Sequence, residues 1–409
     1  MIRLIIESLK GASRMINRQN IQLSLQSCSL VAGFMVWVLI SSLISQMSSD
    51  INLSAGDISL VTAIPVILGS LLRIPLGYYT NRFGARMTFM ISFLLLLFPV
   101  FWISIADSVF DLAVGGFFLG IGGAVFSIGV TSLPKYYPKE KHGFINGIYG
   151  AGNIGTAITT FAAPVVAQSV GWKSTVQMYM VLLALFALLH FFLGDRNEKK
   201  VKVSVKIQIK AVYRNHLLWF LSLFYFITFG AFVAFTIYLP NFLVQHFGLS
   251  PVDAGFRTAG FIAVSTLLRP VGGFLADKVS PLRMLMYVFA GLTLSGIILS
   301  FSPSLGIYAF GALTVAVCSG IGNGTVFKLV PFYFSKQAGI ANGIVSAMGG
   351  LGGFFPPLIL ASVFQATGQY AIGFMALSEA ALASFVIVIW MYWQERMKTH
   401  TERNGHSVN

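Results

Sequence analysis

The sequence predicts an all-α integral membrane protein with twelve transmembrane helices in two pseudo-symmetric six-helix halves. Three observations support this prediction. The chain of 409 residues is 56% hydrophobic and only 10% charged, whereas soluble domains carry roughly 25% charged residues. Apolar runs of about 20 residues, long enough to cross a bilayer, recur along the chain. Short stretches of the first half also recur in the second half at a constant shift of 196 residues.

Twelve apolar runs are long enough to span a membrane. The predicted spans are 21–46, 57–80, 86–106, 110–133, 144–168, 174–194, 217–243, 253–276, 281–301, 306–331, 339–364 and 370–394. The predicted organisation is a cytoplasmic N-terminal segment (1–20), an N-terminal bundle (21–194), a basic linker (195–216), a C-terminal bundle (217–394) and a cytoplasmic tail (395–409).

The basic residues predict the orientation in the membrane. The linker is rich in cations, namely Arg196, Lys199, Lys200, Lys202, Lys206, Lys210 and Arg214. Loops with such an excess stay in the cytoplasm, so both termini are predicted to be cytoplasmic. The same bias accounts for the net charge of +14. No nucleic-acid partner is therefore expected, and the lipid bilayer is the expected surrounding.

Two arginines, Arg73 and Arg269, lie deep in apolar runs, each after a Leu-Leu pair. A guanidinium in the centre of a lipid-facing helix costs about 2.5 to 3.5 kcal/mol on insertion scales. Snorkelling or pairing with a carboxylate is the structural alternative, but only Glu379 lies well inside a span. Two unit charges about 8 Å apart repel by roughly 2 kcal/mol at an effective dielectric near 20. An anion between them would turn this repulsion into two attractions, so a small anionic substrate is predicted.

The repeat defines the relation between the two halves. The shift of 196 residues carries Arg73 onto Arg269 and Asn146-Gly147-Ile148 onto Asn342-Gly343-Ile344. Because each half has an even number of spans, both halves have the same orientation and are related by an axis along the membrane normal. This organisation resembles that of the major facilitator superfamily.

The loop after the second span also resembles a signature of that superfamily. The matching residues are Gly77, Asn81, Arg82, Gly84 and Arg86, with Asp277 in a weaker second copy. The resemblance implies a cytoplasmic gate. Asn81 stands where the superfamily usually has Asp, and an amide can cap a helix but cannot form an ionic latch. A plain turn with topology-setting arginines explains the charges of this loop equally well.

Two glycine-rich stretches resemble the paired signatures of the nitrate/nitrite porter family. Their glycines are Gly147, Gly150, Gly152, Gly155, Gly343, Gly349, Gly350, Gly352 and Gly353. Close helix packing is the structural alternative for these glycines. The resemblance implies that Phe126 and Phe229 sandwich a planar anion held by the two arginines. It also implies that Tyr225 and Asn153 donate hydrogen bonds near the anion, although Asn153 could instead make an interhelical bond.

The expected function is exchange of nitrate for nitrite across a bacterial plasma membrane. His190 and Glu379 are the plausible titrating groups within the spans, and neither lies on a helix expected to line the cavity. Proton symport, transport of another small organic anion, and a membrane sensor of nitrate remain as alternatives.

An enzyme is disfavoured because no triad or metal-ligand spacing occurs, so no catalytic residue, cofactor or metal is expected. A removable signal peptide is not expected. The protein is expected to be a monomer. Lys328 is expected to snorkel, with a gating or recruiting role as the alternative.

Overall fold

The computed structural model describes residues 2–201, 203–301, 304–367 and 371–405, with side chains described mainly in 18–355 and 372–397. Within these ranges the regular secondary structure is helical, and the described residues include no strand. This confirms the all-α prediction. A hydrophobic core runs through the helices of both halves.

The helices follow the predicted spans closely. Those up to the linker are α1 (Ile2–Trp37), α2 (Leu39–Asp50), α3 (Ala55–Leu71), α4 (Arg73–Phe83), α5 (Ala85–Ser104), α6 (Val109–Ala124), α7 (Phe126–Ser132), α8 (His142–Gly150), α9 (Ile154–Val170) and α10 (Trp172–Leu193). The linker contains α11 (Val205–Val212). The rest are α12 (His216–Phe247), α13 (Pro251–Lys278), α14 (Pro281–Ser300), α15 (Leu305–Tyr333), α16 (Ala338–Thr367) and α17 (Ala371–Gly405).

Four of the predicted spans in the first half consist of two helices each. The interruptions are single residues at Val38, Leu72 and Val125 and a 3-10 turn at Ala151–Asn153. The helices that correspond to these spans in the second half, α12, α13, α15 and α16, are continuous. Three of the four interruptions adjoin or contain predicted site residues, as expected where broken helices line a site near the middle of a membrane.

Eleven helical segments among the described residues are long and apolar enough to cross a membrane. The fifth predicted span is not among the eleven because the 3-10 turn Ala151–Asn153 divides it into α8 and α9. Each of these two helices is shorter than the length of about 20 residues that is needed to span a hydrocarbon core. Together, however, they cover the predicted span 144–168.

Three helices begin with the same local pattern, in which a serine caps the helix and an aspartate follows three residues later. The serine side chain accepts a hydrogen bond from the aspartate backbone N–H, which satisfies one of the free donors at a helix start. The pairs are Ser54 with Asp57, Ser108 with Asp111, and Ser250 with Asp253. These starts lie at the end of the bundle opposite the basic loops, which explains why carboxylates collect there.

The two halves meet along two pseudo-equivalent helix pairs, α4 with α16 and α8 with α13. Glycines stand where the helices of each pair touch. A Cβ at Gly77 would overlap the carbonyl oxygen of Gly339, and one at Gly273 would overlap the carbonyl oxygen of Gly143. The main chains of the two halves are therefore in direct contact at one end of the bundle. This end carries the basic loops and is called the basic face. Both arginine-bearing helices, α4 and α13, take part in this interface.

Candidate anion-binding site

Arg73 opens α4 immediately after the interruption at Leu72, and its side chain is fully buried. Its Nη1 donates a hydrogen bond to the carbonyl oxygen of Ser346 in α16, at 2.8 Å. Its Nε and Nη2 have no hydrogen-bond partner among the described residues. Arg73 therefore retains buried donors that the described protein groups leave unused.

Arg269 lies in the C-terminal half of α13 and is 2% exposed. Its Nη1 donates to the carbonyl oxygen of Gly150 at 3.2 Å. With the amide of Asn153 oriented so that its oxygen faces Arg269, Oδ1 accepts from Nη1 at 2.8 Å and from Nη2 at 3.2 Å. The opposite orientation would set the NH2 group against the guanidinium donors, so the hydrogen-bond network selects the first. The Nε of Arg269 has no partner in the described part of the chain.

Phe229 lies beside both cations, and Phe126 lies beside Arg73. Their rings are 6.5 Å apart between centroids with an interplanar angle of 16°. The guanidinium carbon of Arg73 lies 5.4 Å from the Phe126 centroid and 5.2 Å from that of Phe229. That of Arg269 lies 5.1 Å from the Phe229 centroid. Because both carbons are measured to the same Phe229 centroid, the distance between them cannot exceed the sum of these two distances. The electron-rich faces of the rings partly compensate the positive charge of the guanidinium groups.

Tyr225 and Phe327 extend this aromatic wall. The Tyr225 ring stacks on Phe229 at 5.0 Å and 3°, and its buried hydroxyl has no hydrogen-bond partner of normal geometry among the described residues. This hydroxyl nevertheless lies near enough to Arg269 for electrostatic interaction. Phe327 stands edge-on to Tyr225 at 4.8 Å and to Phe126 at 5.1 Å. The structure thus brings the predicted Tyr225 to the site and adds Phe327.

The site is strongly electropositive. Five ion pairs occur among the described residues, and neither Arg73 nor Arg269 belongs to any of them. Aromatic rings exclude water around the guanidinium groups, so their attraction for an anion is much stronger than in water. No cluster of His, Cys, Asp or Glu that could hold a metal occurs in the described ranges. This arrangement can bind an anion.

The signature glycines fall into two groups. Those of the first group lie against site residues or the opposite half. A Cβ at Gly147 would lie 2.6 Å from the carbonyl oxygen of Arg269, and one at Gly343 would lie 2.8 Å from that of Arg73. A Cβ at Gly150 would approach the Arg269 guanidinium, one at Gly349 would overlap the Tyr225 ring, and one at Gly350 would overlap the Ser70 side chain. The second group faces neighbours in its own half and fits the packing alternative: Gly152, Gly155, Gly352 and Gly353.

The loop after the second span lies at the basic face. Gly84 has a φ of +90° at the end of α4, a conformation that glycine adopts without strain. Arg82 donates to the Tyr78 hydroxyl at 2.9 Å, and Arg86 donates to the carbonyl oxygen of Phe191 at 2.8 and 3.2 Å. Both arginines therefore contact their own half. Asn81 is buried, and its main-chain carbonyl oxygen accepts from the backbone N–H of Val201 in the linker.

Asp277, the counterpart of Asn81 in the second half, bridges the two halves. Its carboxylate accepts from the backbone N–H groups of Gly143 at 3.1 Å and Phe144 at 2.8 Å, at the start of α8. Lys328 pairs with the same carboxylate at 2.6 Å and donates to the carbonyl oxygen of Lys139. The expectation that Lys328 snorkels is therefore wrong, because a buried carboxylate lies within its reach and both groups gain from pairing.

Glu198 in the linker makes a comparable set of contacts on the other side of the basic face. Its Oε2 accepts from the backbone N–H of Ala85 at the start of α5, at 2.7 Å, and its Oε1 pairs with Lys135 at 2.8 Å. Sequence reasoning missed this residue because Glu198 stands among the cations of a polar linker. The separation of Glu198 from Asn81 along the chain does not indicate that the two residues lie at the same face.

The two titratable groups noted within the spans lie apart from the site. The ring of His190 is buried between α1 and α5, 2.7 Å from the Ser29 hydroxyl and stacked on Phe89 at 4.6 Å. Glu379 lies on an exposed side of α17. Neither residue has a contact with Arg73 or Arg269 among the described interactions.

Sequence reasoning also missed Ser346, Phe327 and Phe232. Phe232 lies 5.6 Å from the Arg269 guanidinium carbon, one turn beyond Phe229 on α12, and the spacing of three residues could have indicated a shared face. Ser346 contributes a main-chain carbonyl, which no side-chain pattern reveals. Its position exactly 196 residues after Gly150 is the one available signal.

The comparisons with known proteins fit this geometry. The family model described as Major Facilitator Superfamily matches residues 26–357 and 242–408. A nitrite extrusion protein of Bacillus subtilis (strain 168) is 88% identical over 395 residues, which are 97% of this chain and 100% of that protein. A protein of Staphylococcus epidermidis with the name "Probable nitrate transporter NarT" is 52% identical over 92% of this chain and 97% of its own length.

Two solved structures share the fold at low sequence identity. The human organic anion transporter MFSD10 superimposes with a TM-score of 0.74 at 14% identity, covering 90% of this chain and 99% of its own. The proton:xylose symporter XylE also gives a TM-score of 0.74 at 14% identity, covering 92% and 96%. The predicted twelve-helix architecture in two halves is therefore confirmed as a fold.

Proposed function

The chain belongs to the major facilitator superfamily and, within it, to the nitrate/nitrite porters, and from this premise we propose that it exchanges nitrate for nitrite across a bacterial plasma membrane. The anion binds between Arg73 and Arg269. Phe126 and Phe229 flank it, and Tyr225 and Asn153 lie beside it. The relatives named for nitrite extrusion and for nitrate transport support this choice of substrate.

One observation carries the proposal. Buried N–H groups of both arginines and the Tyr225 hydroxyl have no partner of normal geometry among the described residues, and neither arginine is paired with a carboxylate. Buried donors of this kind are costly when they are left unused. A planar oxyanion fits them because guanidinium groups make forked contacts with two oxygens, and the flanking rings accept a flat anion.

The charge of the site supports exchange rather than one-way transport. Without an anion the halves would have to close around two cations, and the described site offers no carboxylate or imidazole that could compensate them. With nitrate or nitrite bound, the positive charge is reduced and a state that occludes the site becomes accessible. An inbound anion must therefore be replaced by an outbound anion before the halves rock back.

Proteoliposomes containing the purified chain test this proposal. External labelled nitrite should enter vesicles loaded with nitrate or nitrite, and entry into vesicles without an internal anion should be slow. Uptake that proceeds equally well without an internal anion and requires an inward proton gradient would favour symport. Competition by formate and larger carboxylates as strong as that by nitrate would favour a general organic anion carrier.

Two lysine variants test the placement of the anion. Arg73→Lys and Arg269→Lys keep the charge but remove the forked donor, so each should weaken exchange by about tenfold or more. Arg257→Lys is a matched control, because Arg257 lies on the same helix as Arg269 but pairs with Asp253 at the far end of the bundle. Normal binding and exchange by both site variants would refute the assignment.

A further inference from the structure

Asn323 in α15 is a buried amide whose side chain has no partner in the described structure. It is 3% exposed, and both its Oδ1 and its Nδ2 lack a hydrogen-bond partner among the described residues. Nearly all buried polar groups in native proteins are paired, so a buried amide with both atoms unpaired requires an explanation. The asparagines at two other interface positions, Asn146 and Asn342, each donate to a main-chain carbonyl oxygen.

The packing of Gly322 and Gly324, the residues on either side of Asn323 in the chain, shows which way the Asn323 side chain points. At Gly324 a Cβ would meet the main chain of Arg269 and Gly273 in α13. At Gly322 a Cβ would lie 2.7 Å from Thr228 in α12. Successive residues of a helix advance by about 100°. The side chain of Asn323 therefore points from α15 into the space between α13 and α12, at the level of Arg269.

Phe327 shows what lies in that direction. It follows Asn323 by four residues and shares its helix face. The Phe327 ring contacts Tyr225 at 4.8 Å and Phe126 at 5.1 Å. Asn323 consequently lies one turn from an aromatic contact of the anion site, on the side of Phe327 that is further from the basic face.

We propose that Asn323 completes the anion site from α15 and, by donating from Nδ2 to a third oxygen, favours nitrate over nitrite. This inference rests on the proposed function. Two guanidinium forks and Asn153 suit an anion with two oxygens, and nitrite has no more than two. Nitrate has three, so an additional amide donor interacts with nitrate in a way that nitrite cannot match.

Binding of nitrate and of nitrite to the purified full chain, measured separately by calorimetry, tests the inference. Asn323→Leu keeps a similar volume and removes the donor. It should weaken nitrate binding by about tenfold and nitrite binding by less than about threefold, because one hydrogen bond to a charged group is lost for nitrate alone. Asn323→Ser retains a donor and should give a nitrate-to-nitrite affinity ratio between those of the wild type and Asn323→Leu.

Ser295→Ala is the matched control, because Ser295 on α14 is also buried without a partner in the described residues but lies on a helix that does not carry a site residue. It should leave both affinities unchanged. Equal weakening of nitrate and nitrite by Asn323→Leu, or no change in either, would overturn the inference while leaving the proposed function intact. A wild-type chain that binds neither anion would refute the proposed function, and the inference with it.

Discussion

Arg73 of the first half donates a hydrogen bond to the main-chain carbonyl oxygen of Ser346 in the second half, at 2.8 Å. The internal repeat gives this contact a counterpart, since Arg269 of the second half donates to the carbonyl oxygen of Gly150 in the first half, at 3.2 Å. Both members of the pair are related by the same shift of 196 residues. Each cation is thus held by a helix of the opposite half.

This reciprocal arrangement links the position of each guanidinium group to the relative position of the halves. A rocking motion that separates α4 from α16 must stretch or break the bond from Arg73, and separation of α8 from α13 must do the same for Arg269. Under the proposed function, an anion would engage the donors that these carbonyl oxygens leave unused, namely Nε and Nη2 of Arg73 and Nε of Arg269. Anion binding and the relative position of the halves would therefore be linked through the same two guanidinium groups.

The glycines beside the arginine main chains should be intolerant of a methyl group. In Gly147→Ala and Gly343→Ala the added Cβ would lie 2.6 and 2.8 Å from the carbonyl oxygens of Arg269 and Arg73. Overpacking of this kind costs about 1 to 3 kcal/mol, so each variant should reduce exchange in proteoliposomes by about tenfold while the protein remains monodisperse. Gly255→Ala, where no atom lies within 4 Å of the added Cβ, should exchange normally. Unimpaired exchange by both interface variants would contradict close contact of the halves.

Phe229 should contribute more to anion binding than any other ring on α12, because it lies 5.2 Å from one guanidinium carbon and 5.1 Å from the other. The ring flanks the proposed anion and also holds both guanidinium groups in place through cation–π contacts worth about 1 to 2 kcal/mol each, so Phe229→Leu should weaken nitrate binding by about tenfold, measured by calorimetry. Phe224→Leu is the control on the same helix, since Phe224 packs against Phe289 within its own half. A similar loss of affinity in both variants would indicate general damage to packing.

The elements of the site that obey the repeat could be predicted from the sequence alone. The shift of 196 residues relates Arg73 to Arg269 and Gly147 to Gly343, and charge within apolar runs indicates an anion. These residues are recognisable because a cation in an apolar run, or a glycine repeated at a fixed shift, is conspicuous in the sequence.

The elements that break the repeat could not be derived in this way. Asn153 has Gly349 as its counterpart at the shift of 196 residues, and Phe229 has Gly33. Phe229 is one of many aromatic residues and carries no local signal, and the amide of Asn153 fits an interhelical hydrogen bond as well as an anion contact, so the family resemblance indicated the role of both. Contacts of main-chain atoms, such as the carbonyl oxygen of Ser346, and long-range pairs, such as Lys328 with Asp277, depend on tertiary packing and required the structure.

Glu198 and Asp277 should both stabilise the basic face, Glu198 by joining the linker to the first half and Asp277 by joining the two halves. Asn81 lacks the charge that Asp277 supplies in the second half, and Glu198 supplies a carboxylate to the first half from the linker, where it accepts from Ala85 and pairs with Lys135. Glu198→Gln should lower the free energy of unfolding by about 2 kcal/mol, because an ionic pair and a charged helix cap are weakened together.

Thermal unfolding in detergent measures this loss, and Glu140→Gln is the matched control, since Glu140 is an exposed carboxylate at the same face. The control should unfold at the wild-type temperature, whereas Glu198→Gln should unfold several degrees lower. Asp277→Asn should be at least as destabilising as Glu198→Gln, because the carboxylate of Asp277 accepts two backbone hydrogen bonds across the interface in addition to pairing with Lys328. If Glu198→Gln matches Glu140→Gln, the linker carboxylate does not stabilise this face.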